Sequence, residues 1–248
     1  MTFSDQSGLC GRTSLNPGAR LRNALMRIVG PDAVAGLWWR LRGRETDHFR
    51  GDLKQRFSFM YDTGFWVGGE SSGPLSGWGS SVESTKALRD ELPALLREID
   101  ATSLIDIGCG DFTWMKLVDL PCPYVGIDIV PSVIDHNAAQ FRRADRSFAV
   151  IDACSEPVPA ADVALCREVL FHLSFADLKR LMANVRASGA RYLLATTNPQ
   201  VALNLDIPSG EHSDRNLELA PLKLGAPERT LWDGAIAKDR VLGLWKLR

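Results

Sequence analysis

Ser103-Leu-Ile-Asp-Ile-Gly-Cys-Gly-Asp111 is the stretch that decides the fold. Ser103 to Gly108 reads as a buried strand that ends at a glycine. Gly108 and Gly110 then let the backbone turn tightly and approach a neighbour with no Cβ in the way. Four more strands are expected downstream, at 124–129, 147–152, 162–166 and 191–197. A helix opened by Pro131 separates the second from the third. Another starts at Ser174, with Asp177 three residues on as a capping box, and separates the fourth from the fifth. Its stripe of Leu178, Leu181, Met182 and Val185 has helical spacing, as do Leu88, Leu92, Leu95, Leu96 and Ile99 ahead of the first strand, with Pro93 as a kink. The connection at 153–161 is too short and Pro-rich for a helix. At the end, 228–233 and 240–246 read as an antiparallel hairpin with a tight connection, and Trp232 and Trp245 as cross-strand core pairs. Strands alternating with helices mean an α/β fold: a doubly wound, Rossmann-like sheet, mostly parallel with a C-terminal antiparallel hairpin, behind a helical N-terminal extension.

Composition narrows the class. The 248 residues are 45% hydrophobic and 24% charged, enough to bury a core without disulfides or structural metal. With 29 Lys+Arg against 30 Asp+Glu, strong electrostatic capture of nucleic acid is not expected. Residues 1–50 hold eight Arg against four acids, so the remainder is acidic. The five cysteines form no C-x-x-C pair, which argues against a disulfide framework or zinc site and points to a cytoplasmic protein. The longest apolar run, Ala33 to Trp39, is too short for an integral membrane segment, and the first thirty residues hold no apolar signal core. Residues 1–81 read as an arm (1–18) followed by a helical and loop cap, and 82–248 as the sheet domain. Within the cap, 36–44 is basic and aromatic and reads as docking on the protein's own body. The glycine-serine loop 64–81 carries Trp66 and Trp78, so it packs over something.

Ligands of such sheets bind beyond the carboxyl ends of the strands, at the switch point. Asp106–Asp111, Asp128, Asp152 and Arg167–His172 are expected there. A dinucleotide fingerprint requires glycine at 113, where this chain has Thr, and Asp106 would repel a pyrophosphate. A carboxylate beside the loop suits a cationic ligand better. Asp128 stands where an acid can accept both hydroxyls of a ribose, and Asp152-Ala153 where adenine's amine and ring nitrogen can be bonded. Three strand-end acids and a glycine loop describe a pocket for an adenosine attached to a positive charge.

On these motifs the chain resembles the class I S-adenosylmethionine-dependent methyltransferases over residues 82–248. They are Leu104-Ile-Asp-Ile-Gly-Cys-Gly-Asp111, Gly126-Ile-Asp128, Val150-Ile-Asp-Ala153 and Asp162-Val-Ala-Leu-Cys-Arg-Glu-Val-Leu-Phe-His-Leu173. The chain departs from the family at Phe112, where many members have a further glycine. The resemblance implies that Asp106, Gly108 and Gly110 border the methionine end of S-adenosylmethionine and that Asp128, with Ile129, holds the ribose. It also implies that Asp152 and Ala153 contact adenine and that Arg167 lies near the sulfonium. Residues 57–83 are similar to the lead-in of a bacterial subgroup of small-molecule or glycan type, which implies a cover over cofactor or substrate.

The activity expected from the residues and the resemblance is methyl transfer to a small molecule or glycan, at a hydroxyl. His172 is the candidate general base and Glu168 the group that orients its ring; a structural histidine is the competing reading. His48, His136 and His212 are weaker candidates. No metal cluster is suggested. Leu165-Cys-Arg-Glu168 lacks the Asn/Asp-Pro-Pro-aromatic motif of enzymes that methylate nucleobase amines, which disfavours nucleic acid as substrate. A nicotinamide-dependent oxidoreductase and a non-catalytic module that only binds the cofactor are the rival readings.

Overall fold

The computed structural model describes residues 51–67, 73–235 and 237–248, together with the isolated helical positions Leu25, Ile28 and Val29. The arm 1–18, the basic-aromatic stretch 36–44 and residues 68–72 of the glycine-serine loop lie outside the described residues.

Among the residues from 51 onward that are described, four α-helices, α1 (Leu53–Asp62), α2 (Lys86–Glu98), α3 (Pro131–Phe141) and α4 (Phe175–Ala187), accompany seven strands. The strands are β1 (Leu104–Ile107), β2 (Tyr124–Asp128), β3 (Arg146–Val150), β4 (Val163–Cys166), β5 (Tyr192–Thr197), β6 (Arg229–Trp232) and β7 (Val241–Lys246). They form one sheet in the order β3-β2-β1-β4-β5-β7-β6. The first five are parallel; β7 runs antiparallel to β5, and β6 to β7. The chain winds outward from β1 to β3, then returns to β4 and winds the other way. The switch point therefore lies between β1 and β4, with Asp106 in register with Leu165.

Every residue of β1 and β4 is buried, because helices cover both faces of a parallel sheet. Alternation along the strands divides the core. Leu104, Tyr124, Phe148, Leu165 and Leu194 pack with Leu88, Leu92, Leu95 and Leu96 of α2. Ile105, Ile107, Ile127, Cys166 and Leu193 pack with Leu178, Leu181, Met182 and Val185 of α4 on the other face. Pro131 opens α3, and α2 runs on through Pro93. Ser174 caps α4 by accepting from the Asp177 N–H at 3.1 Å. The reciprocal arm of the capping box is replaced, since the Ser174 N–H donates to Ser209 Oγ at 2.8 Å.

The hairpin departs from expectation twice. Residues 233–240 separate β6 from β7, a longer connection than a tight turn. Nor are Trp232 and Trp245 core partners. β6 is an edge strand in which only Leu231 turns inward, so Trp232 is 50% exposed opposite Val241, while the buried Trp245 pairs with Leu193 of β5.

Phe112, the departure from the glycine of many family members, lies at φ +59°, in the left-handed region glycine favours. Its ring is fully buried among Tyr124, Phe141 and Phe148, at centroid distances of 5.4, 5.3 and 5.0 Å. Packing holds a backbone conformation that the side chain resists. Cys109, Cys122, Cys154 and Cys166 are free and buried, and burial raises each thiol's pKa, so they behave as small apolar residues.

Candidate active site

A cleft of about 800 Å³, open mouth included, lies over the carboxyl ends of the central strands. In the sheet β3, β2, β1 and β4 stand side by side, about 4.8 Å apart, so the loops that follow them form a row. They contribute Ile151–Cys154, then Asp128 and Ile129, then Ile107 and Gly108, then Arg167–Val169. The roof comes from the N-terminal segment. Leu53, Phe57 and Tyr61, spaced i, i+4 and i+8 along α1, present one face, and Trp66, Ser76 and Ser80 follow.

Gly108 turns at φ +71°, and its N–H and that of Cys109 donate to the Ile127 carbonyl at 2.8 and 3.0 Å. A Cβ at Gly108 would overlap the Val169 side chain. Gly110 is fixed on both sides. Its N–H donates to Asp128 Oδ2 at 3.0 Å, and its carbonyl accepts from Asn137 Nδ2 at 2.7 Å.

Asp128 also accepts the Val130 N–H, on Oδ1 at 3.1 Å. Its backbone partners leave part of the carboxylate's four-lone-pair acceptor capacity for a ligand. Burial raises its pKa against the pull of these backbone bonds. Asp152 accepts the Cys154 N–H at 2.9 Å and the Ser155 hydroxyl at 2.7 Å, so it closes the turn after β3 while facing the cleft. The Ala153 carbonyl accepts from Asn184 Nδ2 at 2.9 Å.

Asp106 and Gly110 stand outside the cleft wall. Strand alternation gives the cleft Ile107 and turns Asp106 to the opposite face, where its Oδ2 accepts from the Tyr124 hydroxyl at 2.8 Å. Burial pushes the Asp106 carboxyl up to about 7, against the Tyr124 hydrogen bond, and the Asp128 charge adds to the rise.

The segment after β4 carries a buried ion network. Arg167 donates from Nε and Nη2 to Asp233 at 3.1 and 2.7 Å, and from Nη2 to the Gly79 carbonyl at 2.8 Å. Burial opposes the Arg167 charge, but Glu168 and Asp233 outweigh it and hold the guanidinium ionised. Arg167 is thus a cleft-wall residue whose charge is already engaged. Glu168, at φ +57°, accepts from Arg240 Nη1 at 2.6 Å. It therefore does not orient His172, because Arg240 draws its carboxylate away.

The His172 ring is oriented instead by the Glu211 carbonyl, 2.9 Å from Nδ1. A carbonyl only accepts, so Nδ1 carries the proton and Nε2 is the ring's acceptor. Trp66 packs on the ring with centroids 4.4 Å apart. Burial lowers the His172 pKa to about 3, so the imidazole is neutral at working pH. His212 pairs with Asp214 at 3.3 Å and His136 lies exposed on α3; His48 lies outside the described residues.

The sequence reading did not single out Ser76, Asp233 or Arg240. The roof residues had a signal in the helical spacing of Leu53, Phe57 and Tyr61. The Arg167–Asp233 pair joins positions 66 apart, with no local pattern to mark it.

A family model for a methyltransferase domain matches residues 82–224. The chain belongs to that family. Solved structures of methyltransferases are similar to the chain at low identity. The N-methyltransferase NodS from Bradyrhizobium japonicum WM9 is 16% identical, with a TM-score of 0.50, over 66% of this chain and 96% of its own. The magnesium protoporphyrin IX methyltransferase ChlM from Synechocystis PCC 6803, solved with bound S-adenosylmethionine, is 14% identical, with a TM-score of 0.49, over 95% of this chain and 100% of its own. No curated protein sequence matches the chain.

The methyl donor of this class is S-adenosylmethionine. The residues fit it: a largely apolar cleft, carboxylates at the ends of β2 and β3, and a glycine turn at the end of β1. The missing third glycine remains the feature that sets the site apart from a nicotinamide fold, whereas Asp106, turned to the opposite face, is not placed to repel a pyrophosphate. Among the described residues, no group of three or more His, Cys, Asp or Glu could hold a metal, and no helix is long and apolar enough to cross a membrane.

Proposed function

We propose that this methyltransferase acts on a hydroxyl of a small molecule or glycan, with His172 as proton acceptor. The observation that carries the reading is the neutral His172 ring in the cleft wall beside the end of β4, with Nδ1–H given to Glu211 and Nε2 left to accept. A hydroxyl is a weak nucleophile until its proton is being removed, whereas an amine bound neutral needs no base. Enclosure also favours a compact acceptor, because α1 and Trp66 roof the same cleft that the strand ends floor.

When bound, S-adenosylmethionine supplies an electrophilic methyl on a sulfonium, so the protein's part is alignment, desolvation and proton removal. Asp128 with Ile129 holds the ribose, Asp152 with Ala153 the adenine edge, and Gly108 borders the methionine end. Asp106 and Gly110 act one layer back, through Tyr124 and Asp128. Arg167 and Glu168 are positioning residues, which hold Gly79 and the Asp233–Arg240 connection against the cleft. Residues 51–67 and 73–81, the described part of the cap 1–81, serve as a lid on the catalytic unit 82–248.

The reading is tested by transfer of tritium from S-adenosyl-[methyl-³H]methionine to a panel of small phenols and methyl glycosides and to their amine analogues. Label is expected in hydroxyl compounds, with a loss in His172→Gln. Label confined to amines, at a rate indifferent to His172, would contradict it.

A further inference from the structure

Tyr61 and Ser76, both contributed by the roof, bring two hydroxyls together at the glycine-loop end of the cleft. Tyr61 Oη lies 3.0 Å from Ser76 Oγ, and Ser76 Oγ accepts the Asp111 N–H at 2.8 Å. The Leu75 N–H donates back to Asp111 Oδ2 at 2.7 Å, so this part of the roof is stitched to the glycine loop by two bonds. Gly110 makes room for the contact, because a Cβ there would overlap Ser76 Oγ.

The proton count is uneven. The two hydroxyls carry two protons but share one hydrogen bond, and the other partner of Ser76 is a donor. One O–H is left to donate to something else, from a partly buried position at the end of the cleft. Burial, with the Asp128 and Asp111 charges, raises the Tyr61 pKa, so the phenol keeps its proton.

Position identifies the acceptor. α1 runs along the cleft, from Leu53 beside Ile129 and Asp152 to Tyr61 beside Gly110. Eight residues of helix span about 12 Å. With adenine at the end of β3 and ribose at the end of β2, the group that arrives under Tyr61 is the far, amino-acid end of the donor. That end is a zwitterion, so nearby acids suit its ammonium and a hydroxyl donor suits its carboxylate.

We propose that Tyr61 and Ser76 bind the α-carboxylate of the methyl donor, so that the lid completes the donor site. The inference rests on the donor assignment under Proposed function. Isothermal titration calorimetry with two ligands separates the cases: S-adenosylhomocysteine, and 5′-methylthioadenosine, which has the same adenosyl thioether without the amino-acid end. The wild type is expected to bind S-adenosylhomocysteine more tightly. Tyr61→Phe and Ser76→Ala are each expected to weaken S-adenosylhomocysteine about tenfold and leave methylthioadenosine unchanged, which also reports an intact fold. Equal losses for both ligands, or no loss for either, would overturn the proposal. If Ser76→Ala unseats the lid, Tyr61→Phe, which keeps the ring, decides alone. A wild type that binds neither ligand would instead sink the donor assignment.

Discussion

Arg167 and Asp233 meet in a two-point ion pair, Nε to Oδ2 at 3.1 Å and Nη2 to Oδ1 at 2.7 Å, with both side chains almost wholly buried. The pair ties the end of β4 to the β6–β7 connection, and through the Gly79 carbonyl to the lid. Removing one partner strands a charge in the interior, which costs more than the pair itself contributes. Asp233→Ala is expected to lower unfolding free energy by about 3–5 kcal/mol in urea titrations. A loss under about 1 kcal/mol would mean that Glu168, 3.6 Å from Arg167 Nη2, takes over as counter-ion.

Asp106 makes stability fall as pH rises. Its folded value, about 7, lies above the ordinary 3.8, so the native state holds a proton that the unfolded state has lost. Its contribution is complete below about pH 4 and disappears as pH passes through 7. Asp106→Asn removes this dependence. Between about pH 5 and pH 8 the wild type is expected to lose up to about 3 kcal/mol relative to the variant, at about 1.36 kcal/mol per unit. Parallel curves for the two proteins would show that Asp106 is ionised throughout.

His172 has the opposite sign. With a folded value near 3 against an ordinary 6.5, it contributes stability above about pH 6.5 that is lost as pH falls toward 3. The same burial that keeps the base unprotonated makes it a weak one. His172→Ala is therefore expected to lower turnover of a hydroxyl acceptor by about 10²-fold, with the S-adenosylhomocysteine Kd unchanged. The wild-type kcat/KM profile should show no acid limb near pH 6.5 that vanishes in the variant.

Phe112 sets packing against backbone strain. Its left-handed conformation costs about 1–2 kcal/mol, while a buried aromatic contributes about 3–5 kcal/mol over alanine. Phe112→Gly is expected to relieve the strain and still destabilise by about 2 kcal/mol in urea titrations. A more stable variant would mean that strain outweighs the aromatic cluster.

Much of this was legible in the sequence because strands and helices leave periodic traces. Asp128 and Asp152 stand at strand ends that the apolar runs before them mark out, and both face the cleft. Asp106 shows where that logic stops: the residue is at the expected strand end, but a one-residue alternation decides which face it takes. The hairpin shows the limit of local pattern, because Trp232 reads as core until β6 is known to be an edge. Ser76 and Asp233 matter through partners 15, 35 and 66 residues away, which no spacing rule connects. The ring partner of His172 is a backbone carbonyl, Glu211, and side-chain identity carries no record of it.

The account stands on the cleft holding an adenosyl donor, and a thermal-unfolding measurement with S-adenosylhomocysteine and with NAD tests that most directly. A ligand at a hundred times its Kd stabilises by about 2.7 kcal/mol, which for a chain of this size is a Tm rise of roughly 5–10 °C. S-adenosylhomocysteine is expected to produce that rise, NAD to produce none, and Asp128→Ala to lose most of it. A rise with NAD and none with S-adenosylhomocysteine would contradict the account.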